Sequence, residues 1–297
     1  MALPADQQLV EIRTAEGVLQ CIVDAAASPE SPLLVYHHGT PAAGPIAASL
    51  LGAARAADLR TVELVRPGYG NSSRASGRTV ADNARLTQRL VDHLETPRFL
   101  SAGWSGGGPH TLADAALLPG CVGSLCIAGV GPHDAPDLDF LDGMGQDNLD
   151  EFAAAAEPEA LAAYLAAAVP GLSAGDGASV KAALASLLPD SDLAYLSDAF
   201  ADELAAQAAW SLANGIWGWF DDDRAFFGPW GFDLSRISKP VTILQGSDDL
   251  MVPLAHGRWL AAHIPDATAH FVAGEGHLSV AAKHLDAAVA QLRRLLS

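Results

Sequence analysis

The 297-residue sequence has few basic residues, few aromatic residues and few cysteines. It contains 17 Lys and Arg against 35 Asp and Glu, a formal net charge of −18, with no basic cluster. Nucleic acid and anionic membranes bind dense positive charge, so we expect neither as a partner. Cys21, Cys121 and Cys126 are too few and too poorly spaced for a disulfide framework or a zinc site, and we expect them to behave as small apolar residues.

The sequence also lacks the segments that direct a chain to or across a membrane. The N-terminus has neither the basic nor the apolar region of a signal peptide, and no apolar run reaches transmembrane length. We therefore expect a soluble cytoplasmic protein, monomeric or homodimeric, that acts on a small-molecule substrate without a metal or cofactor. Half of the residues are hydrophobic, which is enough for one large core.

Short apolar runs alternate with helical segments over most of the chain, which predicts βαβ units and an α/β fold. From 134 to 232 no strand is predicted, only helices rich in Ala, Leu and acidic residues. We expect a mostly parallel central sheet flanked by helices, built from residues 1–133 and 233–297, with a helical cap of residues 134–232 inserted after the sixth strand. The predicted strands are 8–13, 18–24, 33–36, 61–65, 99–104, 122–128, 241–245 and 269–272.

The segment Gly103-Trp-Ser-Gly-Gly107 has the form G-x-S-x-G, between a predicted strand and a predicted helix. A serine on so tight a turn projects its hydroxyl away from the sheet, and side chains at 103 and 107 would collide with the turn. Ser105 is therefore the candidate nucleophile. The competing interpretation is a glycine-rich turn of a Rossmann-like sheet, but no G-x-G-x-x-G follows the first buried strand.

A serine hydroxyl needs a hydrogen-bonded base, which a third group orients. Two loops that follow late strands supply candidates for both roles. Asp248 and Asp249 follow the strand predicted at 241–245, and His277 follows the next strand in the segment Gly274-Glu-Gly-His277. The flanking glycines leave the imidazole free to enter a site.

These segments together resemble the α/β-hydrolase superfamily. The resemblance implies a nucleophile–acid–histidine order of Ser105, Asp249 and His277, because the family's acid usually stands four residues before a proline, here Pro253. Asp248 is the alternative in the same loop. A further alternative is an acid after the sixth strand, where this sequence has Asp134 and Asp137.

The segment His38-Gly-Thr-Pro41 resembles the family's H-G motif, whose following residue donates to the oxyanion. The resemblance implies that the backbone N–H groups of Thr40 and Gly106 form the oxyanion hole. Proline iminopeptidases share the H-G-x-P loop but usually carry a bulky residue where Gly106 stands. We therefore expect a serine hydrolase of the carboxylesterase type that cleaves an ester or related acyl bond. A C–C bond hydrolase, an aminopeptidase or a non-turnover ligand sensor is the alternative.

Aromatic residues are concentrated at the end of the cap segment. We expect them mainly to attach the cap to the core, with a few rings facing the substrate. The candidate pocket residues are Trp104, Trp217, Trp219 and Phe227.

Other polar segments are predicted to have structural roles. Asp221-Asp-Asp223 is interpreted as a solvated turn or helix N-terminus rather than a cation site. The Arg66-Pro-Gly-Tyr69 segment is interpreted as a turn at the pocket rim, and His37, His110 and His133 as structural residues close to the pocket.

Overall fold

A computed structural model describes residues 3–14 and 17–296 of the chain. Its centre is one eight-stranded sheet, and every strand predicted from the sequence is present, with ends that differ by at most two residues. The strands are β1 (Gln7–Thr14), β2 (Gly17–Asp24), β3 (Leu33–His37), β4 (Arg60–Leu64), β5 (Phe99–Trp104), β6 (Cys121–Ile127), β7 (Val241–Gly246) and β8 (Ala267–Val272).

The strand order across the sheet is β1-β2-β4-β3-β5-β6-β7-β8. Strand β2 pairs antiparallel with β1 and β4, and all the other pairs are parallel. The central strand β3 is buried along its whole length, which its continuous apolar run predicts. The mostly parallel sheet expected from the sequence is therefore confirmed.

Helices flank this sheet. Their bounds are α1 (Ala48–Ala56), α2 (Val80–His93), α3 (Gly108–Leu117), α4 (Gln146–Ala154), α5 (Pro158–Leu172), α6 (Gly177–Ala183), α7 (Asp190–Tyr195), α8 (Asp198–Ser211), α9 (Trp217–Phe227), α10 (Leu254–His263) and α11 (His277–Arg293). Helix α1 packs against α11, and α2 packs against α3. The side chain of Thr79 caps α2 by accepting the backbone N–H of Asp82.

Helices α4 to α9 all lie in the chain between β6 and β7, two strands that pair directly in the sheet. No strand occurs among the described residues of this segment. The chain thus leaves the carboxyl end of β6 and forms six helices before it re-enters the sheet. The domain limits at residues 133 and 232 stay a prediction.

The three cysteines are free and buried within the sheet and its margins. Burial raises the pKa of each thiol to about 12, so they remain protonated and unreactive at neutral pH. In the part of the chain that the structure describes, no helix has both the length and the apolar character to cross a membrane.

Candidate active site

Ser105 stands at the sharp turn between β5 and α3, in a 3₁₀ turn that spans Ser105–Gly107. Its φ of 56° lies in the left-handed region, which an L-residue adopts only at a cost. A Cβ at Gly103 would collide with the carbonyl oxygen of Gly107, and a Cβ at Gly107 with that of His37. The collisions expected for side chains at 103 and 107 are confirmed, which explains why both positions are glycine.

His277 and Asp249 form a buried hydrogen-bonded pair at the carboxyl end of the sheet. His277 Nδ1 lies 2.8 Å from Asp249 Oδ2, and both side chains are almost inaccessible to solvent. Because the carboxylate accepts, Nδ1 carries the proton and Nε2 is left as an acceptor. His277 Nε2 has no hydrogen-bond partner among the described residues.

The Asp249 carboxylate is fixed by three further donors besides the imidazole. Its Oδ1 accepts the backbone N–H groups of Met251 and Val252 at 2.9 and 2.8 Å, and Oδ2 accepts the side-chain amide of Gln245 at 2.9 Å. A carboxylate with four donors cannot rotate freely, so it holds the ring of His277 in one orientation.

The alternative acids lie elsewhere. Asp248 is exposed and accepts the hydroxyl of Ser247, while Asp134 is also exposed. Asp137 accepts the indole N–H of Trp259 at 2.7 Å on the surface. Of the aspartates weighed from the sequence, Asp249 is the one that contacts His277.

Asp192 is a site residue that the sequence analysis missed. This fully buried aspartate of α7 accepts the backbone N–H of His277 at 2.9 Å, and also those of Leu278 and Ser279. The residue before α11 is Gly276, which has no side chain to cap the helix. The glycine before α11 indicates that a residue from elsewhere in the chain caps this helix, although it does not identify Asp192 as that residue.

The expected oxyanion residues, Thr40 and Gly106, lie against each other. A Cβ on Gly106 would collide with Oγ1 of Thr40, so the glycine permits close approach of the two segments. The guanidinium of Arg66 holds the loop by donating to the carbonyls of His38 and Gly39, at 2.5 and 2.9 Å.

The interpretation of Asp221-Asp-Asp223 as solvated is wrong, because all three side chains are buried within α9. Asp222 accepts from Arg66, from Arg78 at 2.5 Å, from the hydroxyl of Tyr69 at 2.8 Å and from Thr40 Oγ1 at 2.7 Å. Burial opposes ionisation, but the two guanidinium groups outweigh it and hold the pKa of Asp222 well below its usual range.

The Arg66–Tyr69 segment is therefore more than a turn at the pocket rim. Both named side chains are almost fully buried, and they tie the core to α9 through Asp222. The helix that carries this aspartate belongs to the segment between β6 and β7. The loop that contains Thr40 is thus fixed from two parts of the chain.

Two cavities meet at Ser105. The larger, of about 460 Å³, is also lined by Thr40 and Gly106 and by apolar side chains from α4 and α5. The smaller, of about 100 Å³, is lined by Ser105, His277 and Trp104. The nucleophile candidate and the imidazole therefore share one small cavity.

Of the four aromatic residues predicted to lie in the pocket, two line the cavities at Ser105 and two do not. Trp219 lines the larger cavity and Trp104 the smaller one. Trp217 is outside both linings, 42% exposed, with the guanidinium of Arg74 4.0 Å from its ring centroid. Phe227 is also outside them and stacks on His133 at 4.0 Å. For Trp217 and Phe227 the pocket prediction is therefore wrong.

The three histidines near the pocket occupy packing positions. His37 Nε2 lies 2.7 Å from a carboxylate oxygen of Asp114, and His133 stacks on Phe227. Burial is the largest cause that lowers the pKa of His110, so this ring is neutral. None of the three lines either cavity at Ser105.

A strained serine after a parallel strand, with a buried His–Asp pair beyond later strands, defines a class of α/β enzymes. The family model described as "alpha/beta hydrolase fold" matches residues 32–282, and the chain belongs to this family.

A curated relative from Pseudomonas putida, the dihydrolipoyllysine-residue acetyltransferase component of an acetoin cleaving system, is 30% identical over 209 residues. The match covers 69% of this chain but 49% of the relative, so the chain spans about half the length of that protein.

Solved structures match over nearly the whole chain. An alpha/beta hydrolase fold protein from Nakamurella multipartita has a TM-score of 0.67 and 23% identity, covering 98% of this chain and 100% of its own. A carboxylesterase from Bacillus subtilis has a TM-score of 0.64 and 18% identity, covering 99% and 92%. At these identities the likeness shows the shared fold.

Proposed function

We propose that this protein is a serine hydrolase that cleaves a carboxylic ester or related acyl bond through an acyl-Ser105 intermediate. The observation that carries the proposal is the buried pair of His277 and Asp249, whose Nε2 is unpartnered among the described residues, in a cavity shared with Ser105. The carboxylesterase among the structural neighbours supports the same reaction class.

The reaction proceeds in two halves. Ser105 Oγ attacks the carbonyl carbon while His277 Nε2 takes the hydroxyl proton, and Asp249 stabilises the imidazolium that forms. The bond to the leaving-group oxygen then breaks, and Nε2 returns the proton to that oxygen. Water repeats the sequence on the acyl-enzyme and releases the acid.

The negative charge on the carbonyl oxygen is stabilised by the backbone N–H groups of Thr40 and Gly106. Each such donor contributes about 3 kcal/mol to a transition state of this kind. The close approach of these two residues, which depends on Gly106 having no side chain, supports the assignment.

Each of the two cavities would hold one part of the substrate, the leaving group or the acyl group. The leaving group must lie against His277, because the imidazole gives it a proton, and this is the cavity of about 100 Å³. The acyl chain then occupies the cavity of about 460 Å³, whose lining includes Phe152 and Leu172. We therefore propose a substrate with a small alcohol and a larger acyl group.

Labelling by a fluorophosphonate tests the nucleophile. Wild-type protein should be labelled once and hydrolyse short methyl esters, and Ser105→Ala should lose both properties. Ser235→Ala, at an exposed serine, is the matched control. Intact wild-type protein that resists the probe would contradict the proposal, and a single slow acylation without turnover would favour a ligand sensor.

A further inference from the structure

Two carboxyl groups stand side by side in the lining of the larger cavity. Glu151 on α4 and Asp223 on α9 both line it, and their side chains are hydrogen-bonded to each other. Two carboxyl groups in contact retain a proton between them, because like charges this close cannot both ionise without a cation. The reaction proposed above does not use this pair.

The pair is formed by residues of two helices, α4 and α9, that are bonded to each other. Trp219 lies one turn before Asp223 on α9, and its indole N–H donates to Glu151 Oε1 at 2.6 Å. Arg224, next to Asp223, donates to the carbonyl of Ala155 at 2.6 Å and so ties α9 to the end of α4. Both carboxyl groups are therefore held in place before any ligand arrives.

The pair still has unused capacity to accept hydrogen bonds. Asp223 is 1% exposed, and apart from the proton that it shares with Glu151, no N–H or hydroxyl group of the described residues donates to its Oδ2. Burial is the main cause that raises the pKa of both acids. Glu151 raises the pKa of Asp223 further, whereas the hydrogen bond with Asp223 lowers the pKa of Glu151. The charge of Arg78 lowers the pKa of Asp223 in part, but Arg78 donates to Asp222 and does not line the cavity.

The acidic residues around the pair favour a positively charged ligand. The described residues that line the larger cavity include three acids, Asp147, Glu151 and Asp223, and no Lys, Arg or His. Asp147 is already bonded to the hydroxyl of Ser186 at 2.6 Å. A substrate carboxylate or phosphate would be repelled here, whereas a protonated amine would supply both the donors and the charge that the pair lacks.

A metal ion fits this place poorly. Hard divalent cations need six or more oxygen ligands, whereas Phe152, Leu172 and Met144 supply apolar surface in the same cavity. The indole N–H of Trp219 also occupies one oxygen of Glu151. A compact organic ammonium group on an apolar chain matches both the polar end and the apolar walls.

We infer that Glu151 and Asp223 form a binding subsite for a protonated amine carried by the acyl group of the substrate. This inference rests on the proposed function, since it uses the placement of the acyl group in the larger cavity. It defines the substrate class as amino-acyl esters with small alcohols. The two acids act in binding, and the bond cleavage stays with Ser105.

Matched methyl esters test the inference in pH-stat assays near neutral pH. The esters of glycine, β-alanine and ε-aminocaproic acid provide amines at increasing distance, with methyl heptanoate as the neutral analogue and monomethyl pimelate as the anionic one. At least one amino ester should exceed the neutral ester in kcat/KM by about tenfold, and the anionic ester should be the poorest. If the neutral ester were hydrolysed faster than every amino ester, the inference would be overturned.

Variants of the pair provide the second arm. Asp223→Asn and Glu151→Gln keep the size of each side chain, and each should reduce the ratio of amino-ester to neutral-ester kcat/KM by about tenfold. Glu159→Gln, at an exposed acid of α5, should keep the wild-type ratio. A wild-type ratio in both Asp223→Asn and Glu151→Gln would refute the subsite.

A binding measurement separates failure of the subsite from failure of the proposed function. Calorimetry with n-pentylammonium should detect binding to wild-type protein and to Ser105→Ala, and a loss of about tenfold in affinity in Asp223→Asn. Fluorophosphonate labelling without this amine binding would leave the hydrolase intact and reject the subsite. Amine binding without labelling or turnover would support the subsite's chemistry and reject the hydrolase.

Discussion

The carboxylate of Asp192 accepts the backbone N–H of His277, although 85 residues separate the two in sequence. The same carboxylate accepts the next two backbone N–H groups, so it caps α11 where that helix presents its imidazole. A Cβ at Gly276 would lie 2.5 Å from this carboxylate, which explains the glycine there. A residue of the segment between β6 and β7 therefore positions the proposed base.

Asp192→Ala should reduce kcat by about tenfold to a hundredfold, since small displacements of a catalytic group carry costs of this order. The KM should change little, because Asp192 lines neither cavity. Asp192→Asn retains an acceptor oxygen and should recover part of the loss. The measurement is steady-state kinetics on a methyl ester, with the melting temperature of each variant.

Asp190→Ala is the matched control for Asp192, because Asp190 is an exposed aspartate of the same helix. It should have wild-type kinetics. If Asp192→Ala lowered the melting temperature while kcat stayed at the wild-type value, Asp192 would stabilise the fold without positioning the base.

Asp249→Asn should reduce kcat by three to four orders of magnitude, roughly the cost of losing the orienting acid in a serine triad. The amide would present a donor or a weaker acceptor to Nδ1 and favour the wrong tautomer of His277. Asp248→Asn is the control, since Asp248 is exposed and bonds to Ser247. Equal activity losses in the two variants would contradict the assignment of Asp249.

Local patterns predicted the sheet because its interior strands are continuous apolar runs, as in β3. The edge strand β8 begins at Ala267, two residues before the predicted start at 269. Its side chains alternate between part-buried and exposed over these residues, so composition marks its beginning weakly. The Ser105 turn was predictable because steric collisions within a few residues demand its glycines.

The partners of buried charges could not be predicted in the same way. Arg66 and Asp222 are 156 residues apart. Three consecutive aspartates resemble a solvated segment until the fold places arginines against two of them. The aromatic residues of α9 posed a similar problem. A helix presents successive residues in different directions, so Trp219 reaches the cavity while Trp217 is exposed.

Neighbouring aspartates of α9 should differ sharply in their effect on stability. Asp222→Asn leaves Arg66 and Arg78 buried without their counter-charge, which typically costs about 3–5 kcal/mol. Asp221→Asn weakens an ion pair with Arg74, whose side chain is 33% exposed, and should cost less than about 1 kcal/mol. Urea unfolding of both variants measures the difference, and similar free energies of unfolding would show that the buried network contributes little.

Stability should decline as the pH rises from about 5 to 8, because Glu63 of β4 is buried in the folded protein. Burial raises the pKa of Glu63 from the ordinary value of 4.5 to about 8, against the opposing hydrogen bond from the backbone N–H of Gly44. Between these values the folded state holds a proton that the unfolded state has lost. Each pH unit in this window therefore removes up to about 1.4 kcal/mol from the free energy of unfolding.

Glu63→Gln keeps an acceptor for Gly44 and removes the ionisable group, so its stability should vary less over this pH range than that of the wild type. The substituted protein should also be the more stable of the two at pH 8, where wild-type Glu63 begins to ionise in its buried position. Glu11→Gln, at an exposed glutamate of β1, should retain the wild-type slope. Urea unfolding at pH 5, 6.5 and 8 measures all three proteins, and a slope in Glu63→Gln equal to that of Glu11→Gln would assign the pH dependence to other groups.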